Sequence, residues 1–255
     1  MSKFRFLLLF CLSFFSITAN ANFVFNENCI KAYKNILSLK FNEGALQLAQ
    51  EKKINPNNKI PVLLENYIDF LKVLTTENNA SFENFKSNKS ARISIIEDDD
   101  KRSPWYLYAA AEINLQSCIN RFKYLEFVSG AYELQKAYKL LEENQKKFPD
   151  FLPNKKSFAL LYGLIGLVPE QYKWALSSIG LKGNTEQGAA MLEDLTQKLP
   201  KSNYAFFYDE SAFFLSFIYL SKEGDPAIYD KVKLVCDVVP KTNLLGVYVK
   251  ALAAS

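Results

Sequence analysis

Asp209 and Glu210 interrupt an otherwise apolar stretch, YAFFYDESAFFLSFIYL (204–220). They are the one carboxylate pair in the chain that invites an acid–base reading of the glycoside-hydrolase kind. Adjacent residues on a helix point about 100° apart and do not face a common atom. The competing reading is that the pair marks an exposed helix side or a buried polar contact. Other chemistry is thinly represented. The chain has no histidine, which removes histidine-dependent nucleophiles, general bases and metal sites together. Asp98, Asp99 and Asp100 lack the alternating ligands and distal glutamate of a calcium loop and read as a solvated turn placing negative charge before the next helix. Gly180-Leu-Lys-Gly183 has neither the length nor the Lys-Ser/Thr ending of a phosphate loop. No cofactor is expected. Trp105, Tyr106, Tyr108, Tyr172 and Trp174 read as core aromatics, with a ligand platform as the alternative.

The chain opens with an export pattern. Lys3 and Arg5 precede the apolar run Leu7 to Ile17, and Ala19-Asn20-Ala21 supplies small residues for cleavage after Ala21. Phe10 before Cys11 argues against a lipoprotein. We therefore read residues 1–21 as a signal peptide and 22–255 as one exported domain, periplasmic or secreted. Of 31 basic and 27 acidic residues, Lys3 and Arg5 leave with the signal, so the net charge falls from +4 to +2. The lysines are scattered, which speaks against a nucleic-acid partner. Asp209 and Glu210 also break the one long apolar run of the mature chain, so no membrane span is expected. Cys29, Cys118 and Cys236 lie on amphipathic segments and read as buried free thiols.

The remaining pattern is helical. Apolar residues recur at helical spacing over 26–39, 44–53, 61–74, 78–96, 104–122 and 126–148, and no stretch alternates as a strand does. Phe158 to Pro200 reads as helix, turn, helix, turn, helix. Gly180 is expected at a left-handed helix end, Gly183 at the turn, and Asn184 or Thr185 as cap. Gly163 and Gly188 fall within helices, where close packing would compensate a cost of roughly 1 kcal/mol each. Pro169 and Pro200 end helices. The aromatic 204–220 helix is expected at the centre of the packing. A further helix is expected from Asp225-Pro226 to Pro240, and a last one to the C-terminus, giving eleven or twelve in all.

Small residues precede helix-ending prolines by twelve positions in three places: Gly44 and Pro56, Ala137 and Pro149, Gly188 and Pro200. Ala227 and Pro240 make a looser fourth. A small residue for close approach followed by a terminating proline is the form of a tetratricopeptide second helix. Tyr162-Gly163, Leu167-Val168-Pro169, Ile179 to Asn184, Gly188 and Leu192 together resemble the tetratricopeptide-like family that includes tetratricopeptide repeat protein 39 and the yeast inclusion-body clearance protein. The resemblance covers about 40 residues. It implies an all-α repeat array and a role in protein association, with no catalytic residues to transfer. The expectation is an exported, non-catalytic scaffold presenting a concave face to a protein or peptide. The alternative is a binder of a small ligand or glycan.

Overall fold

A computed structural model describes residues 22–76, 78–99, 101–178, 180–181, 183–220, 230, 232–233 and 244–254. The expected signal peptide with its cleavage point and Cys236 lie outside them, as does the expected 225–240 helix apart from residues 230, 232 and 233, which are helical. All described secondary structure is helical. The α-helices are α1 (Glu27–Leu37), α2 (Phe41–Ile54), α3 (Ile60–Thr76), α4 (Asn79–Glu97), α5 (Pro104–Lys123), α6 (Phe127–Lys147), α7 (Leu152–Leu167), α8 (Lys173–Ser178), α9 (Thr185–Lys198), α10 (Tyr208–Leu220) and α11 (Leu244–Ala254). Single 3₁₀ turns cover Glu170–Tyr172, Leu199–Lys201 and Ala205–Phe207. Pro169 caps the first, and Pro200 lies within the second, just after the α-helix that ends at Lys198 as expected.

Local sequence explains the starts and stops. Asn26, Asn78 and Asn184 accept hydrogen bonds from the backbone N–H groups of Cys29, Ser81 and Gln187, and Ser103 accepts from Trp105 just before Pro104 at the first helical turn. These are N-caps, each satisfying a donor the helix cannot. The ends of α1, α5 and α8 share another device. In α1, Leu39 N–H bonds Ile36 C=O and Lys40 N–H bonds Asn35 C=O. In α5, Leu125 bonds Phe122 and Glu126 bonds Arg121; in α8, Gly180 bonds Ser177 and Leu181 bonds Leu176. Each is a Schellman turn with a left-handed residue after the cap. Gly180 fills that position in α8, as expected (φ 74°), but leucine fills the other two, Leu39 (φ 57°) and Leu125 (φ 61°). The turn delivers the chain straight into α2 without a side-chain cap, which is why α2 begins at Phe41 and not near Gly44.

The tight pairs are α1 with α2, α3 with α4, α5 with α6, and α7 with α9. The first member of each pair also meets the first of the next: α1 with α3, α3 with α5, α5 with α7, and α7 with α10. Each second member meets the following first helix as well. The centre is α5, buried continuously from Leu107 to Cys118. The expectation that 204–220 would be central is corrected. Its helix α10 buries Glu210, Ser211, Ala212, Leu215, Ser216, Ile218 and Tyr219, while Phe217 is 44% exposed. High mean apolarity gave the wrong position because aromatic residues lie on its outer side too.

Glycines set the closest helix approaches. A Cβ on Gly44 of α2 would lie 2.6 Å from Ile36 of α1, and one on Gly130 of α6 would lie 2.5 Å from Phe122 of α5. One on Gly188 would lie 2.6 Å from the carbonyl oxygen of Ala159 and 3.0 Å from the nitrogen of Gly163, so α9 rests on the α7 backbone itself. Gly163 faces Ile218 of α10, and Gly183 faces the ring of Tyr162. Gly183, at the turn before Asn184, is needed for space, since Gly180 alone of the described glycines has positive φ.

Candidate functional site

Five first-of-pair helices converge on one buried ionic centre. Lys156 of α7 is fully enclosed. Its Nζ donates to Glu210 Oε2 of α10 at 2.7 Å, to Glu112 Oε2 of α5 at 3.1 Å and to the Tyr67 hydroxyl of α3 at 3.1 Å. Tyr33 of α1 donates its hydroxyl proton to Glu210 Oε2 at 2.5 Å. Tyr67 lies 2.5 Å from Glu112 Oε2 and 3.3 Å from Glu210 Oε1. Ser157 donates to Glu112 Oε1. The ammonium also sits 5.0 Å from the centroid of the Phe207 ring.

The electrostatics follow from enclosure. Burial works against the Lys156 charge, but Glu112 and Glu210, with Tyr108, outweigh it and hold its pKa well above the usual lysine range. Burial raises the Glu210 carboxyl above its ordinary value; Lys156 opposes this and Glu112 reinforces it. Burial and the two carboxylates push the Tyr33 and Tyr67 hydroxyls far up. Glu210 and Lys156 are thus held inside the fold by each other, with no face toward solvent.

The Asp209–Glu210 pair is accordingly split. Glu210 turns inward to Lys156, and Asp209 is half-buried on a different side of the helix. Sequence reasoning named Glu210 and missed Glu112, Lys156, Tyr33 and Tyr67. The signal that exposed Glu210, a charge inside an apolar helix, was also present at Glu112 after Ala109-Ala110-Ala111, and at Lys156 before Phe158-Ala159-Leu160-Leu161.

Two further clusters knit the outer helices. Glu51, buried at the end of α2, accepts from the carboxamides of Asn26, Asn28, Asn55 and Asn58. Burial opposes its ionisation, but those donors together prevail and hold its carboxyl below the usual range. Lys89 of α4 pairs with Glu133 of α6, and Arg121 of α5 pairs with Glu126, which also meets Lys86 at 3.5 Å. Asp99 is not the solvated residue its neighbours suggested. It accepts from the Asn22 side chain at 2.6 Å and lies 3.5 Å from Lys59.

The aromatic candidates divide. Trp105 is 8% exposed, packed edge-on to Tyr108 and Phe151, whereas Trp174 is 61% exposed. Phe25, in the extended segment before α1, stacks on Phe206 at 4.4 Å and meets Phe207 and Tyr33. The N-terminal segment and the 205–207 turn therefore fill the space between α1, α5 and α10. The space bounded by these helices is filled by the chain's own aromatics.

Cys29 and Cys118 are buried free thiols, as expected. Burial, reinforced by Glu51, pushes the Cys29 thiol up to about 12, and burial raises Cys118 well above the usual value. Both stay protonated at neutral pH and are poor nucleophiles. Among the described residues no group of three or more acidic or cysteine side chains is placed to hold a metal ion, and no helix is long and apolar enough to cross a membrane. No protein family, curated protein or solved structure matches the chain, so residue roles rest on geometry alone.

Proposed function

We propose that the protein is an exported, non-catalytic helical-repeat protein of tetratricopeptide type that works by binding another protein. The observation that carries the repeat reading is a duplicated hairpin. LKFNEGALQL (39–48) and LEFVSGAYEL (125–134) share Leu, Phe, Gly, Ala and Leu in register. Each Leu is left-handed, each turn makes the same Schellman bonds, and each Gly packs on the preceding helix. The order of contacts, first helix to first helix and second helix to the next first, is what stacked helix pairs require to bury a continuous core. This register pairs Gly44 with Gly130, not with Ala137 as the proline spacing suggested; α6 runs 21 residues against 14 for α2, so Pro149 sits later relative to its glycine.

Because the inner face is self-filled, partner contact falls to the outer helices. Exposed apolar side chains there include Leu46 and Ile54 on α2, Val128 and Tyr132 on α6, and Trp174 on α8. The small-ligand or glycan alternative loses Trp105 and Tyr108 to the core and keeps Trp174, with Tyr106 and Tyr172 half-buried. An affinity pull-down with residues 22–255 carrying a photo-crosslinker at 132 or 174 tests the proposal. A reproducible, near-stoichiometric protein adduct supports it. Absence of any protein adduct at both positions, alongside a thermal shift with a glycan or metabolite, would transfer support to the alternative.

A further inference from the structure

Counting donors in the ionic centre leaves one proton to place. Lys156 has three N–H groups and three acceptors: Glu210 Oε2, Glu112 Oε2 and the Tyr67 oxygen. Tyr67 has one hydroxyl proton, and its short contact at 2.5 Å sends that proton to Glu112 Oε2. Ser157 supplies Glu112 Oε1, and Tyr33 supplies Glu210 Oε2. The remaining contact joins Glu210 Oε1 to the Tyr67 oxygen at 3.3 Å. Tyr67 has no second proton to give. Two bare oxygens would face each other there unless Glu210 donates.

Charge counting agrees. Two carboxyls and one ammonium are enclosed together, with Tyr33, Tyr67 and Tyr108 as the other titratable groups facing them from α1, α3 and α5. With both carboxyls ionised the centre would hold an unpaired negative charge out of reach of water, which is strongly disfavoured.

We propose that this centre is a proton-coupled clasp, in which Glu210 stays protonated on Oε1, donates to Tyr67, and takes up that proton when α1 closes onto α10. In the open or unfolded chain both glutamates ionise at neutral pH, with an ordinary pKa near ~4.3. Closure then binds one proton from water. A carboxyl raised in the folded state contributes stability that is complete below its unfolded pKa and is lost as pH rises toward its folded pKa. The direction found for Glu210 agrees. The folding constant should fall by up to about tenfold per pH unit across that window. The clasp does not depend on the protein-binding reading.

The chain offers a clean background, since it contains no histidine to titrate between pH 5 and 8. Urea unfolding of the full mature chain at several pH values across that interval would be compared with Glu210→Gln, whose amide N–H replaces the donated proton. The wild type should lose stability with rising pH, and Glu210→Gln should fold with that slope abolished. An infrared band of a protonated carboxyl should be present at neutral pH in the wild type and absent in the variant. Equal slopes in the two proteins would overturn the proposal. Should Glu210→Gln fail to fold, the wild-type infrared spectrum decides: no protonated-carboxyl band at neutral pH refutes the clasp.

Discussion

Replacing Lys156 by methionine keeps an unbranched side chain, one atom shorter, and removes the charge. Three hydrogen bonds disappear, to Glu210, Glu112 and Tyr67. Charge-assisted bonds contribute roughly 1.5–3 kcal/mol each, but Tyr33, Tyr67 and Ser157 still donate to the carboxyls. The dominant loss is then the orphaned charge on Glu112, left buried without its cation. Breaking a buried pair from one side costs about 3–5 kcal/mol. With a urea slope of about 2–3 kcal/mol/M, the unfolding midpoint should drop by roughly 1–2 M. The defect should shrink as pH falls, because protonation removes the buried carboxylate charge that has lost its cation. Adding Glu112→Gln and Glu210→Gln to Lys156→Met should restore most of the loss, since a neutral core no longer needs the ammonium. Urea titration of the wild type, the single and the triple variant at two pH values checks all of this. A Lys156→Met loss below about 1 kcal/mol would refute the view that Lys156 offsets buried charge, as would a triple variant no more stable than the single.

Gly188→Ala should destabilise by about 1–3 kcal/mol, because its Cβ meets fixed backbone of α7. Gly130→Ala should be milder, since the Phe122 ring can turn and alanine recovers about 1 kcal/mol of helix propensity. Leu125→Gly should stabilise by about 0.5–1 kcal/mol, relieving a left-handed leucine that is largely exposed; thermal melts read both glycine series. Glu51→Gln should cost about 1–3 kcal/mol at neutral pH by setting an amide against four carboxamide donors. The Glu51 carboxyl is depressed in the fold, so its contribution is present above its unfolded pKa and lost as pH falls through the lower folded value. Acid titration of stability should therefore be shallower in Glu51→Gln than in the wild type below about pH 4.3.

Helix positions were legible where side chains announce them. Asn184, Ser103 with Pro104, and Gly180 all act where their types suggest, because caps and left-handed ends depend on residues a few positions away. The hairpin turns at Leu39 and Leu125 were not legible, since nothing in a leucine announces a left-handed backbone. The duplicated LxFxxGA motif was nonetheless readable as sequence. Proline spacing masks it, because the distance from glycine to proline changes with helix length. The ionic centre could not be read from spacing at all. Tyr33, Tyr67, Glu112, Lys156 and Glu210 are far apart in sequence, and only the convergence of α1, α3, α5, α7 and α10 assembles them.

That convergence says why the centre is polar. A stack of helix pairs held only by neighbour contacts leaves its inner face open. Here Tyr33 and Phe25, in and just before α1, meet Glu210, Phe206 and Phe207, in and just before α10. Apolar packing alone would close the stack with little preference for register, because aromatic faces slide at small cost. Lys156 accepts one arrangement, with two carboxyls and a hydroxyl at bonding distance together. A one-turn slip of α10 along α1 would carry Glu210 about 5.4 Å away and leave Lys156 and the Tyr67 oxygen each short of a partner. The centre thus adds little net stability over an apolar core while penalising every other closure, and a neutral Lys156→Met/Glu112→Gln/Glu210→Gln chain should fold but close less uniquely. Broadened amide resonances of α1 and α10 in that triple variant, with the rest of the spectrum unchanged, are the expected sign; a spectrum as sharp as the wild type would show that the aromatics alone set the register.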